Sequence, residues 1–207
     1  MRHHLIAAAL FAAVPGTVRA APVVFDFETL AVDATTPLTL ASAGLSATFA
    51  GPPGVDPGAF GAGFNSSSGP FGAPYRTLVD AFLTVGPAFG APGSPLTIAF
   101  SAPLTAFSVQ FALDDRANRT AVTLSTNTGG TASANGVLSG GFLYPEGTLS
   151  FSGGAFTSVT LSTGAPDFQI DNVLATPAPA PVPEPASLAL LGAGLAAAAA
   201  VRRRVRR

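Results

Sequence analysis

The sequence predicts an all-β fold: an antiparallel β-sandwich, followed by one C-terminal helix. Three observations carry this. Apolar and polar residues alternate in many short runs. Gly and Pro, 23 and 19 of 207 residues, punctuate those runs as turn formers do. No helical period appears before residue 186.

The runs come in order. In Phe25-Asp26-Phe27-Glu28 the aromatics take one side and the acids the other. Leu45, Ala47 and Phe49 alternate with Ser46 and Thr48, and Leu96, Ile98 and Phe100 with Thr97, Ala99 and Ser101. Phe107, Val109, Phe111 and Leu113 continue the pattern, as do Val122 and Leu124, Leu149 and Phe151, and Val159 and Leu161. Phe168 and Ile170 close the domain. Such one-sided strands need a second sheet over their apolar faces, and a jelly roll is the topology expected. Gly51 to Tyr75 reads as a long loop of Gly, Pro, Ser and Ala with Phe60, Phe64 and Phe71 interspersed. It is either a binding loop or an insertion whose phenylalanines tuck onto the sandwich.

The ends carry address signals. Residues 1–20 read as a signal peptide: Arg2, an apolar run from Leu5 to Val14, the helix breakers Pro15 and Gly16, then Val18-Arg19-Ala20. Cleavage is expected between Ala20 and Ala21, and His3 and His4 leave with the segment. The domain proper is 21–176, and 177–185 is a stiff Pro/Ala linker ending in Val182-Pro183-Glu184-Pro185. Residues 186–201 are uncharged and are expected to form a transmembrane helix. At ~1.5 Å per residue they reach ~24 Å against a hydrocarbon core of ~30 Å. Residues 202–207 hold five arginines, a basic tail expected on the cytoplasmic side.

The tail resembles the PEP-CTERM sorting signal. Val182-Pro183-Glu184-Pro185, then Ala186-Ser187-Leu188-Ala189-Leu190-Leu191-Gly192, then small residues and an arginine cluster, follow that family's order and spacing. The resemblance implies an exported protein of a Gram-negative bacterium. It implies a membrane-anchored precursor recognised at Pro183, Glu184 and Pro185 by exosortase, a processing protease. It also implies a cell-surface or matrix location among exopolysaccharide and biofilm. The opening Phe-Asp-Phe-Glu run and the closing Phe168-Gln169-Ile170-Asp171-Asn172-Val173 run also resemble jelly-roll domains found beside such tails and in carbohydrate-binding modules. That resemblance implies that the first and last strands pair, with acids there holding a structural ion. Glu28 and Asp171, with Asp26, are the candidates for calcium; the other reading is that they are solvated strand acids.

Charge and inventory narrow the chemistry. Residues 21 to 181 carry ten acids and only Arg76, Arg116 and Arg119 as cations, an acidic body that argues against nucleic acid as partner. There is no cysteine, and the chain after Ala20 has no His, Lys or Trp. Imidazole triads, Ser-Lys dyads and thiolate sites are therefore closed. Only paired carboxylates remain for catalysis, and Asp114-Asp115 would point to opposite faces of a strand. Tyr75 and Tyr144 are the only candidates for a sugar-stacking ring, Tyr144 within a Tyr-Pro-Glu-Gly turn. The expectation is a non-enzymatic surface or matrix protein that binds or scaffolds extracellular polysaccharide. The alternatives are a carboxylate-dependent carbohydrate-active enzyme and a purely structural coat protein.

Overall fold

The computed structural model describes residues 20–31, 34, 36–51, 60–65, 75–78, 80–85, 95–113, 121–166, 168–180 and 186–205. The signal segment before Ala20, Asp114-Asp115 and the 182–185 motif lie outside them.

The strands are β1 (Val23–Phe25), β2 (Leu38–Ser42), β3 (Leu45–Ala50), β4 (Phe60–Asn65), β5 (Asp80–Val85), β6 (Leu96–Leu113), β7 (Ala121–Thr126), β8 (Thr131–Asn135), β9 (Val137–Leu138), β10 (Pro145–Thr163) and β11 (Phe168–Pro177). One helix follows, α1 (Ala186–Val205). All eleven strands join one hydrogen-bonded antiparallel sheet. A jelly roll of two separate sheets does not emerge from this pairing. The physical reason is the length of β6 and β10, 18 and 19 residues, each of which runs through both halves of the sheet. The first half reads β2-β3-β6-β10-β7-β8. The second reads β4-β5-β11-β6-β10-β9, with β1 alongside the end of β11.

The two long strands change register where they pass between halves, between Ser152 and Phe156 on β10. On β6 the buried set switches there from Leu96, Ile98 and Phe100 to Phe107, Val109 and Phe111. Such irregularities bend a strand and re-aim its side chains. Both halves thus turn their apolar faces onto one core. Phe25 of β1 lies 6.4 Å from Phe100 on β6, ring to ring, and Phe27 lies 5.3 Å from Phe49 on β3.

Gly147 on β10 sits opposite Phe111 on β6, and a Cβ there would come within 2.7 Å of the Phe111 ring and 3.1 Å of the Asn135 carbonyl. The ring is fully buried and has nowhere to move. Gly147→Ala is therefore expected to cost about 1–3 kcal/mol by overpacking, read as a lower midpoint in a denaturant melt.

Three expectations need correction. The 51–75 loop contains a strand, β4, which pairs with β5 from Phe60↔Val85 to Asn65↔Asp80. Pro145, Glu146 and Gly147 open β10 instead of forming a turn. The third concerns residues 186–201: the helix forms, yet no helix among the described residues is long and apolar enough to cross a membrane. Alanine dominates the uncharged stretch of α1, and Arg202, Arg203 and Arg204 occupy its last turn.

Candidate functional site

β1 and β11 are the first and last strands, and they pair from Val23↔Ala175 to Phe25↔Val173. Ala178 then donates its N–H to the Pro103 carbonyl at 2.7 Å, fixing where the chain leaves the sheet. Ala21 and Pro177 are each two residues from the Val23↔Ala175 pair, so both ends of the domain emerge at one pole. β11 runs about 30 Å from there to Phe168, at ~3.3 Å per residue.

Asp26, Glu28 and Asp171, proposed for calcium, do not form a group of three. β1 stops at Phe25, so Asp26 lies past its end and Glu28 lies in the following turn, both exposed. Glu28 accepts the Ala81 N–H at 3.2 Å. Asp171 is buried on β11, and its carboxylate accepts the Asn172 N–H at 2.6 Å and the Asn172 side-chain amide at 3.0 Å. Asn172 has φ +49°, and its amide also donates to Gln110 at 3.1 Å. Here β11 changes register, between Asp171 and Leu174. Asp171 thus holds a left-handed residue at an irregularity of the strand, a local backbone role. Among the described residues, no group of three or more acidic or imidazole side chains is placed to hold a metal ion.

Tyr75 and Tyr144 do come together. Their rings stack at 5.0 Å and 24°, and Tyr75 meets Phe82 edge-on at 5.2 Å. With Leu78 and Ala112 they form a second apolar cluster, separate from the main core. Beside it Glu146, buried on β10, accepts the N–H groups of Arg76 and Thr77 and the Thr77 hydroxyl. Tyr75 is therefore buried, packed on Phe82 and stacked on Tyr144, and Tyr144 is half-buried. Sequence reasoning missed Glu146, because its partners lie about 70 residues away.

The open feature of this sheet face lies toward the tether pole. Leu174, Ser108 and Ser150 form one cross-strand row, and Thr176, Ala106 and Ser152 the next. They line a shallow groove of about 270 Å³, with Pro22 and Phe151 also bordering it. The Ser108 and Ser150 hydroxyls are 2.9 Å apart. Among the described residues, none that lines the groove is charged.

Residues 181–204 match the family described as PEP-CTERM protein-sorting motif. The chain carries a PEP-CTERM protein-sorting motif. The motif implies an exported surface protein processed by exosortase. No curated protein matches the chain. Among solved structures, it is similar to the catalytic domain of a GH87 alpha-1,3-glucanase in complex with tetrasaccharides, at 9% identity and TM-score 0.40, over 81% of this chain and 30% of that one. It is also similar to the enzymatically active domain of tailspike protein 4 of bacteriophage CBA120, at 12% identity and TM-score 0.33, over 66% of this chain and 20% of that one. A Stig cyclase, Fisc, from Fischerella sp. TAU matches at 15% identity and TM-score 0.34, over 80% of this chain and 92% of that one. This PEP-CTERM chain spans less than a third of the first two, and all three likenesses are too remote to bear on function.

Proposed function

We propose that this is a non-enzymatic PEP-CTERM surface protein, sorted by exosortase, whose β domain associates with neutral extracellular polysaccharide. The observation that carries the polysaccharide reading is the uncharged groove with its paired Ser108 and Ser150 hydroxyls beside Phe151. Neutral sugars present hydroxyls to hydrogen-bonding groups and C–H faces to aromatic edges, and they offer nothing for a charged side chain to pair with. At about 270 Å³ the groove sits just below the ~300 Å³ of typical ligand clefts, which suits a single sugar residue of a longer chain. Both ends of the domain leave at one pole, so an attached domain would hold this groove near its point of attachment. The exported protein has no imidazole, thiol or lysine, which supports binding without catalysis.

The test is affinity electrophoresis of the full chain in detergent, in gels cast with exopolysaccharide purified from the producing cells. Retardation by the wild type, lost in Ser150→Arg, is the expected result, with no reducing sugar released. Equal mobility with and without polysaccharide would remove the reading. Sugar release would replace it with the enzymatic one.

A further inference from the structure

The first half of the sheet ends in two edge strands, β2, near β1, and β8, near β10. Each is five residues long, and among the described residues each is hydrogen-bonded on one side only, β2 to β3 and β8 to β7. Proteins usually guard such edges with lysine, proline, inward charges or bulges, because unpaired N–H and C=O groups template further pairing. Among the described residues, neither strand carries any of these guards. The whole sequence lacks lysine, neither strand contains proline or a charged residue, and both pair with their neighbours without a register shift.

The two edges also match each other. The half-sheet holds six strands, every neighbour antiparallel, so β2 and β8 run in opposite directions. An even count means that a second copy, moved sideways without being turned over, brings its β2 antiparallel to the first copy's β8. The faces then continue as well. Leu38 and Leu40 of β2 turn to the core, as do Ala132 and Ala134 of β8. On the outer side Thr39 and Ala41 would fall in line with Thr131 and Ser133. That side already runs as a hydroxyl ladder, with Thr39 and Thr48 at 2.9 Å, Thr97 and Thr160 at 3.3 Å, and Thr123 and Ser162 at 3.1 Å.

We infer that the protein polymerises edge to edge, β8 of one copy pairing with β2 of the next. The contact is heterologous and each addition exposes the same edge again, so the product is an open filament instead of a closed oligomer. Sheet twist makes it helical. Six strands at ~4.8 Å set an advance of about 29 Å per copy. This self-association is independent of polysaccharide binding, and of processing at Glu184.

The experiment uses the full chain in detergent, so that association through the tail is the same in every sample. Sedimentation velocity over a concentration series compares wild type with Thr131→Lys/Ser133→Lys on β8 and Thr39→Lys/Ala41→Lys on β2. Thr123→Lys, on the outer face of the internal strand β7, is the control for added charge. Wild type and control are expected to form large species with rising concentration. Each edge variant needs at least about tenfold more protein to do so, with circular dichroism unchanged. Mixing the two edge variants is the sharper arm, because each retains the edge that the other lacks. The mixture is expected to form one-to-one dimers and stop there. A wild type that stays monomeric, a mixture that never dimerises, or a control that behaves like the edge variants would overturn the proposal. Should one edge variant fail to fold, the wild-type series and the other variant mixed with wild type, where it terminates growth, still decide it.

Discussion

Glu184→Ala is expected to leave an unprocessed precursor that still carries its C-terminal arginines, with the mature surface form reduced about 10- to 100-fold. Glu184 is the only charged residue between Asp171 and Arg202, so it is the one charge-assisted contact that this stretch can offer a processing enzyme. Hydrogen bonds to a charged group contribute about 1.5–3 kcal/mol, which is a factor of about 10 to 100 in recognition. Pro183 and Pro185 stand on either side in the sequence; proline limits φ to near −65° and disfavours helix at the residue before it, so the sequence predicts an extended presentation of the carboxylate. Two further variants separate charge from shape. Glu184→Gln keeps the length and loses the charge, and is expected to behave like alanine. Glu184→Asp keeps the charge and is expected to retain partial processing. Mass spectrometry of the surface protein reads the result directly. A wild-type mature protein that still ends in Arg206 and Arg207 would remove processing from the account.

The strands legible in the sequence were those whose apolar set is large and regular. Leu45, Ala47 and Phe49 map onto β3, and Phe168 and Ile170 open β11. Two pairs of runs that read as separate strands proved to be single long ones. Leu96–Phe100 and Phe107–Leu113 are both β6, and Leu149–Phe151 and Val159–Leu161 are both β10. The alternation loses its phase at the bend, and a change of phase looks like a break in sequence when it is only a change of face. β4 was hidden because Gly61 and Gly63 stand where side chains would have completed the pattern. β8 was hidden because alanine and small hydroxyl residues contrast too weakly to show a period. The pairing of first and last strands was expected from resemblance and is present. Of the acids proposed there, Asp26 and Glu28 fall after β1, which ends at Phe25, and Asp171 accepts the Asn172 N–H. The Glu146 clamp is a long-range contact with no local signature, so periodicity could not reveal it.

That clamp underlies the largest stability effect expected in the domain. Glu146 is 7% exposed and accepts hydrogen bonds from two consecutive backbone N–H groups, Arg76 and Thr77, the latter at 2.7 Å, and from the Thr77 hydroxyl. It ties the segment carrying Tyr75 and Leu78 to the sheet, and those side chains cover Phe82 and Ala112. Glu146→Ala removes the acceptor and with it the anchor of the segment that carries Tyr75 and Leu78. Hydrogen bonds to a charged group contribute about 1.5–3 kcal/mol, and three partly buried ones are lost here, so about 3 kcal/mol is expected. For a domain of this size, ~2–4 °C per kcal/mol gives a fall in Tm of about 6–12 °C. Glu146→Gln keeps the volume but turns a nitrogen donor toward an N–H, and is expected to lose about 1–2 kcal/mol. The location of the damage can be read separately from its size. The protein has no tryptophan and two tyrosines, and both tyrosines belong to this cluster, stacked at 5.0 Å. Near-ultraviolet circular dichroism from tyrosine therefore reports on this clamp. It is expected to collapse in Glu146→Ala while the far-ultraviolet β signal remains. A full near-ultraviolet signal with an unchanged Tm would mean that the carboxylate holds nothing in place.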